Sequence, residues 1–298
     1  MRRAFAMPYR RPSPCPVRLD VAARTETGPR RMNNEDTFLV VDLAGGPRHG
    51  PAPFAGVVES AGGVGLAVID GMGGQCVGDV PAGMTADALA RALGEGLPDG
   101  ADAALRCLGA ILGQASAAVF QASARQMSLR GIGATATVAA IVGDRLLLAQ
   151  VGDTRAYVLR GERLAQVTRD HSLVHEYRAL GATAEQLAAV PANVVTRAIG
   201  VKETVEPDLS IVALRAGDVL LLCSDGLHGE IGDDAVARIL RASPAPADAC
   251  DALVAAATRA GGRDNITVVV TAVESDGLRP PAPEDALEDR NLPVWKKR

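Results

Sequence analysis

Runs of apolar residues divide the chain into clusters of predicted strands and clusters of predicted helices. Short runs rich in Val, Leu and Ile predict strands at residues 17–24, 37–42, 64–70, 134–142, 145–151, 155–159, 208–214, 218–224 and 266–273. Apolar positions at helical spacing predict helices at residues 78–95, 101–127, 233–241 and 248–260. The last two helices each open on an aspartate that can cap them, Asp233 and Asp248.

The connections between several predicted strands are short, which indicates antiparallel pairing. Gly143-Asp144 separates two strands as a hairpin turn, and Ala216-Gly217 separates two others. Because strands and helices form separate clusters, the pattern favours an α+β fold with antiparallel sheets over a doubly wound parallel fold. Residues 45–63 are rich in Gly and Pro and predict a surface loop.

The two ends of the chain predict disordered tails around one domain. Residues 1–16 combine arginines with prolines and have no apolar stretch, so they do not form a secretory signal. Residues 275–298 are also rich in proline. The domain between them covers residues 17–274, and within it residues 171–200 are mixed and helical, with a break at Gly181.

Composition and charge narrow the classes of function. The chain has 298 residues, of which 48% are hydrophobic and 3% aromatic, enough for a full core built from aliphatic side chains. The net charge of −4 argues against broad nucleic-acid binding, which needs a basic field. The five cysteines are widely spaced, which is typical of a reducing cytoplasm. We see no apolar run near the ~18 residues that span a membrane, so we expect no membrane partner.

Four aspartates share one kind of position, beside Gly or Asn at the end or the start of an apolar strand: Asp36, Asp70, Asp225 and Asp264. Spacing alone leaves open that they are turn and cap residues. If the four side chains converge, two carboxylates ~4 Å apart repel each other by about 4 kcal/mol at an effective dielectric constant of ~20. Cations must then lie among them. Oxygen ligands suit Mg²⁺ or Mn²⁺, whereas no Cys/His spacing suits zinc.

Six short segments in one order carry a family resemblance. They are Arg31-x-Asn33-Asn34-Glu35-Asp36, Asp70-Gly71-Met72-Gly73-Gly74, Gly133-Ala134-Thr135-Ala136, Val151-Gly152-Asp153-Thr154-Arg155, Ser224-Asp225-Gly226-Leu227 and Gly262-Arg263-Asp264-Asn265-Ile266-Thr267-Val268. This series resembles the bacterial form of the type 2C (PPM) metal-dependent protein serine/threonine phosphatases over about residues 17–274. The resemblance implies two antiparallel β-sheets packed as a sandwich with helices on both outer faces, and it identifies residues 171–200 as a variable flap.

The resemblance also implies roles for individual residues. Asp70 would bridge two Mn²⁺ or Mg²⁺ ions, and the Gly71 carbonyl would help to hold one of them. Asp225 and Asp264 would bind the first ion, and Asp36 would serve the second. Outside the ligands themselves, Glu35 and Asn265 would hold the site in place.

Arg31 would hold the substrate phosphate through its fork of donors, and hydroxide shared by the two ions would attack phosphorus. The expected enzyme is a cytoplasmic, monomeric signalling phosphatase that acts on phosphoserine and phosphothreonine in proteins and opposes a bacterial Ser/Thr kinase. A catalytically dead module of the same fold and a hydrolase of small phosphorylated metabolites are the alternatives, and the intact acids and Arg31 favour the enzyme.

Several positions qualify the resemblance. Met72 stands where many eukaryotic relatives have a histidine, and it cannot protonate a leaving group. Ser128 stands where bacterial relatives often have an aspartate for a third ion, so a third ion is doubtful. Asp153 could lie near such a site or form a structural turn with Arg155. His171 and His175 are spaced i,i+4 on an expected helix; they could bind a metal, but His171 more simply caps or lines the flap.

Overall fold

The protein is described by a computed structural model over residues 16–73, 78–191, 193–274 and 277–287. Its strands are β1 (Val17–Glu26), β2 (Asp36–Asp42), β3 (Arg48–His49), β4 (Phe54–Ser60), β5 (Val64–Met72), β6 (Gly133–Val142), β7 (Arg145–Val151), β8 (Arg155–Arg160), β9 (Arg163–Gln166), β10 (Asp208–Ala213), β11 (Val219–Cys223) and β12 (Ile266–Val273). Its α-helices are α1 (Asp79–Gly94), α2 (Ala101–Arg125), α3 (Leu173–Ala179), α4 (Ala184–Ala188), α5 (Asp225–His228), α6 (Asp233–Ala242) and α7 (Pro246–Ala260), with short 3-10 turns at Met127–Leu129 and Pro283–Asp285.

The strands form two six-stranded sheets, in which neighbouring strands are antiparallel. The first, sheet A, has the order β4-β1-β12-β11-β8-β9, and the second, sheet B, has the order β10-β7-β6-β5-β2-β3. Helices α1 and α2 pack on the outer face of sheet B, and α5, α6 and α7 pack on the outer face of sheet A. The expected α+β sandwich with helices on both outer faces is therefore confirmed.

Strand β5 shows why the apolar runs fold in this way. Leu66 and Val68 point into the interior between the sheets, whereas Ala67 and Ile69 face the helices on sheet B. All four side chains are fully buried. A strand that is covered on both faces needs a continuous apolar run rather than alternation, and this is the pattern of residues 64–70.

The edges of both sheets differ from the prediction. Residues 45–63, expected to be a surface loop, contain β3 and the whole of β4, which pairs with β1 from Phe54↔Ala23 to Ser60↔Val17. Strand β9 was also not predicted. In β4 every second residue is exposed and the residues between are half-buried, except for the buried Ser60 at its end. An edge strand is covered on one face only, so its sequence lacks the continuous apolar run of a central strand.

The C-terminal prediction was wrong for residues 277–287. This stretch packs against the sandwich, with Leu287 8% exposed and Asp285 bonded to Arg215 at 2.5 Å. The contact depends on partners about 70 residues apart in the chain, so local composition cannot reveal it. The predicted N-terminal tail, 1–16, lies outside the described residues except for Pro16.

The expected aspartate caps of the last two helices do not form. Gly232 and Ala245 occupy the N-cap positions of α6 and α7, and neither supplies a side-chain hydrogen bond. Asp233 is instead the first residue of α6 and accepts a hydrogen bond from the Tyr157 hydroxyl at 2.9 Å. Proline at position 246 starts α7, as is common at the first helical position.

The expectation that no segment is long and apolar enough to span a membrane is wrong for helix α2. Its length and composition meet that test. Helix α2 buries one face: Leu108, Leu112 and Val119 are fully buried, while Gln114 and Arg125 are exposed. A single buried face is typical of a core helix in a sandwich.

Candidate active site

Two of the predicted ligands come from neighbouring strands of sheet B. Asp36 is the first residue of β2, and Asp70 lies two residues before the end of β5. Because β2 and β5 are antiparallel, the register places Asp36 directly opposite Asp70. Strands β2 and β5 have apolar centres, and their pairing brings Asp36 and Asp70 together at one end of sheet B.

The other two predicted ligands come from sheet A. Asp225 follows β11 and opens α5, and Asp264 lies between α7 and β12. Both sheets thus present carboxylates at the same end of the sandwich. Their electrostatic effects show this convergence: the pKa of Asp225 is raised well above its ordinary value by burial and by the charges of Asp153, Asp264 and Asp36.

Asp70 lies in the middle of this arrangement. Burial raises its pKa most, and the neighbouring charges of Asp36, Asp225, Asp153 and Asp264 raise it further. Each of the other carboxylates therefore repels the charged form of Asp70. A carboxyl group surrounded in this way binds either a proton or a cation.

A hydrogen-bond chain from sheet A holds Asp36 in place. The Ser224 hydroxyl donates to Asp36 Oδ2 at 2.7 Å, while Ser224 Oγ accepts from the Thr267 amide at 3.0 Å. These bonds favour the charged carboxylate, yet burial outweighs them and raises the pKa of Asp36 to about 6. Ser224 was not singled out from the sequence, although it directly precedes Asp225 in one of the quoted segments.

A fifth acid, Asp153, joins the site. It lies in the connection that carries the chain from β7 in sheet B to β8 in sheet A, and it is 7% exposed. Burial and the charge of Asp170 raise its pKa to about 6. The proposed structural pair with Arg155 is not formed, because Arg155 donates to Asp170 instead, at 2.6 Å and 3.0 Å. Asp153 therefore lies among the acids of the site, and like Asp70 and Asp225 it stands next to a glycine and a strand end, which is its signal in the sequence.

Asn265 and Glu35 tie the acidic loops together. Asn265 Oδ1 accepts from the Glu35 amide at 2.8 Å, and its Nδ2 donates to the Thr27 and Asn33 carbonyls. The Glu35 carboxylate accepts from the Gly78 amide at 3.0 Å. These contacts fix the stretch before Asp36 against the stretch after Asp264.

Two glycines allow the loops to approach this closely. A Cβ on Gly71 would overlap the Gly78 carbonyl oxygen, and a Cβ on Gly226 would overlap the Asn265 carbonyl oxygen. Neither neighbour is a mobile side chain, so only glycine fits. Gly71 is thus required by packing, next to Asp70 at the end of β5.

Arg31 lies beside one of the predicted ligands. Its Nη2 donates to Asp264 Oδ2 at 2.5 Å, and its Nε donates to the Arg263 carbonyl at 3.3 Å. The side chain is 47% exposed. A guanidinium carries five donor hydrogens, so these two bonds leave donors that can reach a phosphate.

The histidines behave differently from the metal-pair prediction. His171 precedes α3 rather than lying on it; it is buried, and Ser172 is the N-cap of α3. His171 Nδ1 accepts from the Gly152 amide at 3.0 Å, and its Nε2 lies 3.3 Å from Asp208 Oδ2. His228 ends α5, and its Nε2 lies 3.0 Å from the Asp153 carbonyl oxygen. Burial and the nearby Arg155 lower the pKa of His228 to about 3, so it is neutral near pH 7.

The site opens into a cavity of about 360 Å³ between the acids and the flap. Its lining includes the acids Asp153, Asp225 and Asp264 and, from the flap, Ser172, Val174, Arg178 and Asn193. Ser128 is exposed in its 3-10 turn, and its side chain is a neutral hydroxyl.

The donor set fits hard divalent cations. Its side-chain donors are carboxylate oxygens, which Mg²⁺ and Mn²⁺ prefer, and a cation would relieve their mutual repulsion. Among the described residues, no three His, Cys, Asp or Glu side chains are grouped closely enough to hold one ion by themselves. Waters or backbone oxygens, such as the Gly71 carbonyl, would therefore have to complete each ion's shell.

Comparisons with known proteins identify the family of the chain. The family model described as Protein phosphatase 2C matches residues 64–266. Protein phosphatase PhpP of Streptococcus pneumoniae is 32% identical over 260 residues, which are 87% of this chain and 99% of that protein. The solved catalytic domain of PstP, in complex with two manganese ions, is 33% identical, with a TM-score of 0.72 over 86% of this chain and 99% of that one.

A third relative comes from another bacterial setting. PppA, described as a key regulatory component of T6SS in Pseudomonas aeruginosa, is 31% identical, with a TM-score of 0.67 over 85% of this chain and 97% of that one. The family model covers more than half of the chain, and these relatives are matched over nearly their whole length. The chain therefore belongs to the protein phosphatase 2C family in its bacterial form and is a metal-dependent serine/threonine protein phosphatase.

Proposed function

We propose that this phosphatase hydrolyses phosphoserine and phosphothreonine with two divalent ions held by Asp36, Asp70, Asp225 and Asp264. The observation that carries the proposal is the meeting of these carboxylates from two sheets around Asp70, whose pKa each of the others raises. The two manganese ions in the structure of the PstP catalytic domain support the ion count.

The position of each acid suggests its role. Asp70, which all the others surround, would contact both ions. Asp225 and Asp264, both from sheet A, would hold one ion. Asp36 would serve the other, with help from the Gly71 carbonyl. When bound, the ions would act as Lewis acids that lower the pKa of water and neutralise charge on the phosphoryl group.

Arg31 would bind the substrate phosphate. Its bond to Asp264 holds the guanidinium beside the proposed ion site, and the exposed part of the side chain is open to incoming substrate.

The leaving group also needs a proton. Met72 has none to give, and His228 is neutral with its Nε2 at the Asp153 carbonyl. We therefore assign that proton to water.

The cellular role follows from the same chemistry. A phosphatase of this kind would reverse the action of a bacterial Ser/Thr kinase, and we propose that it does so in the cytoplasm as a monomer. Mn²⁺ and Mg²⁺ both suit the oxygen donors, so either could serve.

The decisive assay is the release of phosphate from a phosphothreonine peptide with increasing Mn²⁺. We expect activity to require Mn²⁺, to stop in EDTA, and to be lost in Asp70→Asn. Asp144→Asn, in the turn between β6 and β7, is the matched control and should behave like wild type. Full activity in EDTA, or an active Asp70→Asn, would refute the two-ion proposal.

A further inference from the structure

The flap carries an apolar groove beside the active-site cavity. This flap groove has a volume of about 610 Å³ and is lined mainly by Leu173, Tyr177, Leu180, Gln186, Val190 and Pro191. Leu180 is 85% exposed and Tyr177 is 45% exposed. Single exposed apolar residues are ordinary, but several that line one groove indicate a surface that binds something.

Local hydrogen bonds give the flap groove a defined shape. Ser172 caps α3 by accepting from the His175 amide at 3.2 Å. Thr183 and Gln186 form a reciprocal capping box at the start of α4. Gly181, with φ +85°, makes the turn between the two helices, which a side chain would strain. The groove is therefore built between two capped helices.

The base of the flap is fixed relative to the active site. The Thr196 amide donates to the His171 carbonyl at 2.8 Å, and the Leu173 amide donates to the Val194 carbonyl at 2.8 Å. His171 is bonded in turn to the Gly152 amide, next to Asp153. These contacts join the two ends of the flap to each other and to the acidic loop.

Helix α3 lies between the flap groove and the active-site cavity. Val174 and Arg178 line the cavity, whereas Leu173 and Tyr177 line the groove. A helix with its side chains is about 10–12 Å across. An extended peptide advances ~3.3 Å per residue, so it needs about three or four residues to reach from the active-site cavity to the flap groove.

We propose that the flap groove binds an apolar side chain of the phosphoprotein substrate, about three or four residues from the phosphorylated serine or threonine. This inference rests on the proposed function, because the phosphorylated residue must lie in the active-site cavity while the apolar residue occupies the groove. The occupant is assigned to the substrate because the groove and the cavity share α3, so one extended chain can fill both.

The test compares phosphopeptides that differ at one position. Peptides carry Leu or Asp three or four residues before or after the phosphothreonine, and a small aryl phosphate serves as a substrate that fills the cavity alone. For wild type we expect kcat/KM to favour a Leu peptide by about tenfold, mainly through KM, since burying one Leu supplies energy of this order. Leu180→Asp should abolish the preference and leave the aryl phosphate unchanged.

Val201→Ser is the matched control, because Val201 is also exposed, at 56%, but does not line the flap groove. It should keep the preference for Leu. Equal rates for Leu and Asp peptides in wild type, or an intact preference in Leu180→Asp, would overturn the proposal. If wild type failed to hydrolyse even the aryl phosphate in Mn²⁺, the proposed function itself would fail, which is a different result.

A second copy of the chain is the competing occupant. Sedimentation equilibrium of wild type and Leu180→Asp distinguishes a groove that binds substrate from one that binds a second copy of the chain. A monomer in both, together with the peptide preference, supports the proposal. A wild-type dimer that Leu180→Asp dissociates, with no peptide preference, would overturn it in favour of self-association.

Discussion

At the scale of single residues, the site concentrates negative charge where water is scarce. Asp36 and Asp153 are each 7% exposed, and Asp70 and Asp225 have raised pKa values because burial and neighbouring acids both disfavour ionisation. Such a cluster destabilises the metal-free protein and creates the affinity for cations. Function and stability should therefore respond in opposite directions when one acid is removed.

Asp225→Asn tests this opposition. It should lower Mn²⁺-dependent phosphatase activity by more than 100-fold, because a proposed ligand is lost. It should also raise the melting temperature of the metal-free protein by about 2–4 °C, because one repelling charge is gone. Assays of phosphate release and thermal melts in EDTA measure both effects. Asp144→Asn is the control, and a melting temperature that falls in Asp225→Asn would contradict the electrostatic account.

The pH dependence follows from the raised pKa values of Asp36 and Asp153. Both are about 6 in the folded protein, above the ordinary value of 3.8. The stability that protonation contributes is therefore present below pH ~4 and lost as the pH rises through ~6. Metal binding needs the deprotonated forms, so Mn²⁺ affinity should increase between about pH 5 and pH 7.

Calorimetric titration with Mn²⁺ across this range, with melts in EDTA at each pH, measures both trends. Asp36→Asn should make each dependence shallower, because it removes one of the titrating groups. An Mn²⁺ affinity that is constant from about pH 5 to pH 7 would show that these carboxyls are already ionised in the folded protein.

At the scale of elements, the flap depends on Asp208 at the start of β10. This carboxylate contacts Arg197 at 2.6 Å, Arg169 at 3.2 Å and His171 at 3.3 Å. His171 and Arg197 hold the pKa of Asp208 well below its ordinary value. One side chain thus joins both ends of the flap to sheet B.

Asp208→Asn should loosen the flap base without unfolding the sandwich. Amide hydrogen exchange in α3 and α4 should become faster by about tenfold, because the charge-assisted bonds that tie the flap ends are weakened. Exchange in β5 and β6 should not change. Glu162→Gln, which removes an exposed partner of Arg241, is the control. Unchanged exchange in α3 would show that Asp208 does not hold the flap.

Central elements were easier to predict than edge elements. Strands β2 and β5 carry Asp36 and Asp70, and β11 and β12 lie next to Asp225 and Asp264. These strands are buried, so their apolar runs are continuous and visible. Strands β3, β4 and β9 lie at sheet edges, where half-covered positions leave a weaker pattern. The site itself could be predicted in outline, but the sequence left Asp153 open between a place near the site and a structural turn, because the choice depends on how β7 crosses to β8.

At the scale of the whole molecule, residues 277–287 close the end of the sandwich opposite the active site. Strand β8 runs from Arg155 near the acids to Arg160 at the far end. There Arg160 donates to the Asp285 carbonyl at 2.7 Å, and Arg215 pairs with the Asp285 carboxylate. Local composition suggested disorder, whereas contacts with distant parts of the chain, including these arginines and the core around Leu287, give the segment a fixed position.

Removing this segment should affect stability more than catalysis. A chain that ends at residue 276 exposes the site of Leu287, which alone should cost about 2 kcal/mol, and it also leaves Arg215 without Asp285. A chain that ends at residue 287 is the control and should melt like wild type. Denaturant unfolding and phosphate release at 25 °C check both points. A shortened chain as stable as the control would contradict the docking of this segment.

The central claim is that carboxylates from both sheets hold two ions, and anomalous X-ray diffraction from crystals soaked in Mn²⁺ tests it most directly. We predict two manganese peaks, with Asp70 contacting both, Asp225 and Asp264 at one, and Asp36 beside the other. A single peak, or peaks away from Asp70, would contradict this account.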